Sequence, residues 1–134
     1  MAEIFIFKYG ESIYIDEKTK QIELKNPITD IIVNTIPTNY TFSAACIIMD
    51  FDYEKENNIR YELKNKEGII LHKDEINTTP WKPKKDNDKC TGLNLGIDFR
   101  NVMLKNDETL TTYMYFNDKL IGSYPINVIK KVGD

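Results

Sequence analysis

Four acidic residues, Asp50, Asp52, Glu54 and Glu56, recur at every second position in the second half of a long apolar-to-acidic stretch. In an extended chain that spacing sets all four carboxylates on one face, and closely placed oxygen ligands are what Ca²⁺ takes. Asp86 and Asp88 are the second contributors such a site would call on. The chain carries no Asp-x-Asp-x-Asp-Gly loop, however, and a row of like charges also serves as a solvated strand tip that deters edge pairing. The expectation is therefore no bound metal and no cofactor.

A second group is Trp81 with Lys82, Lys84, Lys85 and Lys89. An aromatic among lysines can stack a base or sugar, or anchor a protein interface with a basic rim. Asp74, Glu75, Asp86 and Asp88 offset most of that positive charge, which argues against nucleic acid and for a protein partner. The plain alternative is that Trp81 plugs the end of a core while the lysines are hydrated.

Nucleophilic chemistry has little to work with. Cys46 sits in an apolar run and reads as a small buried hydrophobe, whereas Cys90 lies in a polar stretch. The one histidine, His72, ends a different segment, and a thiol without a base identifies no catalyst. Ser12, Ser43 and Ser123 lack a nucleophile-elbow context, and there is no glycine-rich phosphate loop and no Cys/His metal spacing. The expectation is no enzyme activity.

What must position these residues is a chain of short β-branched and aromatic runs punctuated by Asn, Asp, Lys, Gly and Pro. Ala2–Lys8 reads as a strand, Tyr9-Gly10-Glu11 as a break, and residues 12–25 as a hairpin turning at Glu17–Lys20. Ile28–Asn34 is a further strand, ended where Pro37 denies a ladder donor. Thr38–Glu54 is the longest candidate. Tyr40, Phe42, Ala44, Cys46 and Ile48 lie on one face, and Thr41, Ser43, Ala45, Ile47, Met49, Phe51 and Tyr53 on the other. Ile59–Lys64 and Ile69–His72 flank Asn65-Lys66-Glu67-Gly68, where Gly68 supplies a positive φ. Residues 73–91 lose all periodicity and read as one long loop, the place where function concentrates in an all-β scaffold. Gly92–Arg100 alternates again, Lys105–Leu110 reads as a short helical turn, Thr109–Phe116 turns at Asn117-Asp118-Lys119 into Leu120–Tyr124, and Pro125 separates that element from Ile126–Lys130.

Residues 1–134 thus read as a single all-β domain, an antiparallel two-sheet β-sandwich of about eight to ten strands. At this length a chain buries roughly two-thirds of its unfolded surface and needs no disulfide to fold. The net charge of −3 is too small to imply a field-driven partner. Ile4–Phe7 is too short for a secretory leader, and no apolar run approaches the ~20 residues of a membrane span, which sets the expectation at a cytoplasmic protein without a membrane partner. Abundant Lys, Asn and Ile, with Arg only at Arg60 and Arg100, is the usage AT-rich coding favours. It associates the chain with a low-GC bacterium or its phages and mobile elements.

The run Tyr113–Gly122 resembles the closing hairpin of immunoglobulin-like and C2-like sandwiches. Ile36–Phe42, Ile59-Arg60-Tyr61-Glu62-Leu63 and Gly68-Ile69-Ile70 resemble a family of small uncharacterised bacterial and phage sandwich domains, over residues 31–72 and 92–130. That resemblance implies a fold and no activity. The functional expectation is a non-enzymatic protein-binding domain, for instance a phage accessory protein that inhibits a host defence enzyme. Its contact residues would be Trp81, Lys82, Lys84, Lys85, Asp50, Asp52 and Glu54. The alternatives are a ligand-binding module of C2 or carbohydrate-binding type and a virion structural component. Tyr9, Tyr14, Tyr40, Tyr53, Tyr61, Tyr113, Tyr115 and Tyr124 supply a further surface, since tyrosine on a rigid sheet gives contact area at low entropic cost.

Overall fold

A computed structural model describes residues 2–80 and 92–132. Its strands are β1 (Glu3–Ile15), β2 (Ile22–Pro27), β3 (Asp30–Val33), β4 (Thr38–Met49), β5 (Asn57–Lys64), β6 (Ile70–Thr78), β7 (Gly92–Leu104), β8 (Thr109–Phe116) and β9 (Lys119–Lys130). They form two sheets, ordered β2-β1-β4-β7 and β3-β9-β8-β5-β6, packed as a sandwich. All pairings are antiparallel except β3 with β9, which is parallel.

Alternation along the strands decides which faces meet. Ile59, Tyr61 and Leu63 on β5, Leu110, Thr112 and Met114 on β8, and Phe42, Ala44, Cys46 and Ile48 on β4 turn inward and are buried. On β7 the buried set changes phase, from Leu95, Ile97 and Phe99 to Val102 and Leu104. A bulge opposite Tyr40/Phe42 makes this shift, with Asn101 at φ 53° and its N–H donating to Thr41 Oγ1 at 3.0 Å. Phe42 and Phe99 stack at 4.7 Å in the centre. Among the described residues no buried side-chain nitrogen or oxygen lacks a hydrogen-bond partner.

Five expectations need correction. The long loop expected at 73–91 begins later, because β6 runs to Thr78 and pairs with β5 along its length. Its residues are those of an exposed edge strand, so apolar periodicity is absent although the ladder is present. The long strand stops at Met49, not Glu54, because Asp50 takes a left-handed φ of 60°. Tyr9-Gly10-Glu11 does not interrupt β1; Tyr9 is core. Pro125 lies inside β9, just before β3 begins to pair with that strand at Asn127. Lys105–Glu108 is a non-helical turn leading straight into β8.

Two glycines carry conformational or spatial demands. Gly68 (φ 82°) closes the β5–β6 turn by donating its N–H to the Asn65 carbonyl at 3.0 Å. At Gly96 a Cβ would sit 2.6 Å from Ile13 Cδ1 and 3.3 Å from Ile22 Cγ2. Gly96 pairs with Ala45 on the outward side of the four-stranded sheet, so the β1–β2 ribbon beyond Gly10 folds over that outer face.

Candidate functional site

One end of the sandwich gathers the β4–β5 turn, the β8–β9 turn and both roots of the β6–β7 connection. Thr78 pairs with Asn57 and Gly92 with Met49, so the chain leaves and re-enters the sheets beside the acidic turn. Asn57 holds this end together. Buried to 4% exposure, its amide donates to the Asp52 carbonyl at 2.9 Å and the Lys55 carbonyl at 3.2 Å, and its Oδ1 accepts from Asn117 Nδ2 at 3.0 Å. Its backbone N–H donates to Thr78 Oγ1 at 3.2 Å. Asn117 also accepts the Asn58 N–H on Oδ1 at 2.8 Å, and Asp52 Oδ1 accepts the Glu54 N–H at 3.0 Å. The β4–β5 turn, the β8–β9 turn and the Thr78 root of the β6–β7 connection are therefore fixed by one polar network, which sequence reading missed. The signals were an Asn-Asn pair opening a strand, which went unremarked, and the Asn117-Asp118 turn, which was read as a turn and not as a partner of that pair.

The acidic residues occupy this end in a different arrangement from the one expected. Since β4 ends at Met49, Asp50, Asp52, Glu54 and Glu56 lie in a turn rather than along one strand face. Asp50 instead meets Glu3 of β1, and their side-chain hydrogen bond together with the Asp50 charge raises the Glu3 carboxyl above its usual range. Asp52 approaches Lys55 Nζ at 3.9 Å. Glu3, Asp50, Asp52, Lys55, Lys119 and Leu120 line an open hollow here. Among the described residues, no three His, Cys, Asp or Glu side chains come together as metal ligands. Trp81, Lys82, Lys84, Lys85 and Cys90 lie outside the described residues, as do Asp86, Asp88 and Lys89.

A second polar locus lies along the seam between edge strands β6 and β7. Asp74 pairs with Tyr61 and His72 with Leu63, so both face inward from an edge strand. The His72 ring lies nearly parallel to Tyr61 (5.8 Å, 8°) and edge-on to Phe99 (5.7 Å, 72°), with Tyr61 Oη 3.3 Å from His72 Nδ1. Asp98 accepts from Ser43 Oγ at 2.7 Å and meets Arg100 at 3.6 Å. Burial, then Asp74 and Asp98, push the Tyr61 phenol up to about 12. Sequence reading assigned Asp74 to a loop and His72 to a strand end, and placed neither beside Tyr61.

The outer face of the five-stranded sheet carries Tyr113 and Tyr115 beneath Lys64 and Arg60, whose charged groups lie 5.1 and 4.0 Å from the ring centres. Glu62 between them pairs with both, at 3.2 Å to Arg60 and 3.7 Å to Lys64. Cys46 is enclosed, and burial pushes its thiol up to about 12, far from the thiolate a nucleophile needs.

No protein-family model matches the chain, and no curated protein is similar to it. Solved structures resemble it in fold. Part of the alkylpurine DNA glycosylase AlkC of Pseudomonas fluorescens, solved bound to DNA containing an abasic site analog, aligns over 96% of this chain at TM-score 0.51 and 6% identity. Bifidobacterium dentium β-glucuronidase aligns at TM-score 0.46 and 11% identity, also over 96% of the chain. An immunoglobulin-like protein of Pseudomonas aeruginosa aligns at 0.45 and 10%, covering 96% of each chain. This chain spans 30% of the glycosylase chain and 18% of the glucuronidase chain. At such identities the likeness is one of fold. The class defined is an all-β two-sheet sandwich, and the described residues include no helix long and apolar enough to cross a membrane.

Proposed function

We propose that this domain works without catalysis, by binding a protein through the end of the sandwich that carries Asp50, Asp52 and Glu54. The observation that carries the reading is the Asn57-centred network. It fixes the acidic turn, the Asn117 turn and the Thr78 root of the 79–91 connection against one another before any partner arrives. Preorganised loops lose less entropy on association, which is how a modest surface gains affinity. Trp81, Lys82, Lys84 and Lys85 belong to the connection rooted there and supply an anchor with a basic rim. The C2-type alternative is weakened because the expected carboxylate row does not share a strand face. The finer reading is a cytoplasmic phage or mobile-element protein that inhibits a host defence enzyme; residue usage supports only its part about origin.

Quantitative affinity capture tests the reading with wild type, Trp81→Ala, Glu54→Lys and, as a control at the opposite end, Lys66→Glu. Trp81→Ala should weaken capture of a specific protein roughly 30-fold, equivalent to about 2 kcal/mol, with an unchanged thermal midpoint. Glu54→Lys should weaken it too, and Lys66→Glu should not. Equal capture by all four proteins would overturn the proposal.

A further inference from the structure

The β6–β7 seam holds an open slot of about 360 Å³ lined by Tyr61, His72, Asp74, Asp98 and Arg100 beside Gly96 and Ile97. Three features set it apart from an ordinary sandwich edge. Its inner wall is aromatic, formed by the Tyr61 and His72 rings backed by Phe99. Two carboxylates reach it from opposite sheets, Asp74 from β6 and Asp98 from β7. Both act on the Tyr61 phenol, the sign of a negative potential inside the slot. Among the described residues its one cation, Arg100, stands at the mouth with a 75% exposed side chain and meets Asp98 at 3.6 Å, too long and too solvated to satisfy that carboxylate fully. The other charges on β5 and β6, Arg60, Glu62, Lys64, Lys73 and Glu75, occupy positions of the opposite face.

We propose that this slot binds an organic cation of guanidinium or alkylammonium type. The cation would sit between Asp74 and Asp98 against the half-buried His72 ring, with the buried Tyr61 phenol behind it. Carboxylates supply charge-assisted hydrogen bonds, and aromatic carbon covers the methylene stem of such a ligand. Arg100 is the internal competitor whose displacement the ligand must achieve. The same chemistry is offered by a free diamine or guanidine and by a lysine or arginine side chain of an extended peptide lying along the strand edge.

The test titrates the whole protein with agmatine, and separately with a blocked Ala-Arg-Ala peptide, against sodium chloride at equal ionic strength. Amide shifts of His72 and Gly96 report binding by NMR. Saturable shifts with a dissociation constant of about 1 mM are expected for agmatine. Asp74→Asn should weaken binding about tenfold. Arg100→Ala should tighten it several-fold by freeing Asp98; both positions are exposed, so neither change disturbs the core. Peptide binding about tenfold tighter than agmatine assigns the site to a polypeptide side chain, and equal affinities assign it to a free cation. Absence of saturable shifts up to about 20 mM, or shifts indifferent to both Asp74→Asn and Arg100→Ala, would overturn the proposal. Because the slot lies apart from the Asn57-centred end, its failure leaves the protein-binding proposal standing.

Discussion

The sandwich has two lateral seams, and aromatic side chains close one and leave the other open. Where β1 meets β9, Phe7 stacks on Tyr124 at 4.2 Å and 6°, and Phe7 lies edge-on to Tyr9 at 5.1 Å. Tyr9 Oη donates to the Tyr124 carbonyl at 2.6 Å and shares a 2.7 Å hydrogen bond with Thr112. Where β6 meets β7, Tyr61 and His72 also stack, yet their polar atoms touch at only 3.3 Å and their neighbours are Asp74, Asp98 and Arg100. The difference lies in the partners. A buried phenol satisfied by a hydroxyl and a carbonyl lets the two sheets approach and exclude water. Tyr61 is as buried as Tyr9, but Asp74, Asp98 and Arg100 beside it stay at least partly exposed, because dehydrating carboxylates costs more than the contact returns. One seam is therefore a fastening and the other an accessible slot.

Substitutions that break the fastening should have the largest effects. Tyr9→Ala removes a ring packed on Phe7, Phe42 and Phe99 and should cost about 4 kcal/mol in urea denaturation. Asn57→Ala tests the loop end against both seams. It removes two amide donors and one acceptor from a buried network and should cost about 2–3 kcal/mol. The paired hydroxyl deletions sharpen the comparison most. Tyr9→Phe leaves Thr112 and the Tyr124 carbonyl without their partner and should cost about 1–2 kcal/mol. Tyr61→Phe loses only the long contact to His72 and should stay within about 0.5 kcal/mol. Equal costs for the two would erase the distinction between the seams.

The smallest effect concerns pH. The Glu3 carboxyl is raised by its hydrogen bond with Asp50 and by the Asp50 charge, so the folded state holds that proton more tightly than the unfolded chain does. The stability it contributes is complete below its ordinary value of 4.5 and is lost as pH rises through the higher folded value. Glu3→Gln should flatten this slight decline in thermal midpoint between acid and neutral pH. An unaltered profile would remove the Glu3–Asp50 contact from the account.

Much of this architecture was legible because it is local. Alternation over Gly92–Arg100 and the face of Thr38–Glu54 bearing Phe42, Ala44, Cys46 and Ile48 named inward residues of β7 and β4, and Gly68 and Asn117-Asp118 marked the turns that close two hairpins. What was not legible is set by distant partners. Lys73-Asp74-Glu75 has no apolar period, and only the β5 ladder makes it a strand. Tyr9 looked like part of a break, and only Thr112 and Tyr124, more than a hundred residues away, make it core. The acidic residues were correctly placed at the tip of β4, but a left-handed Asp50 turned them off the strand face. Asn57 was overlooked because a polar residue at a strand start carries no local mark of the turns it will join.

The most direct measurement is a hydrogen–deuterium exchange footprint of the domain in complex with the protein it captures. The account predicts new protection at residues 50–58 and 117–120, with the outer-face strand around Tyr113 and Tyr115 unchanged. Protection confined to that outer face, with residues 50–58 exchanging as in the free protein, would contradict it.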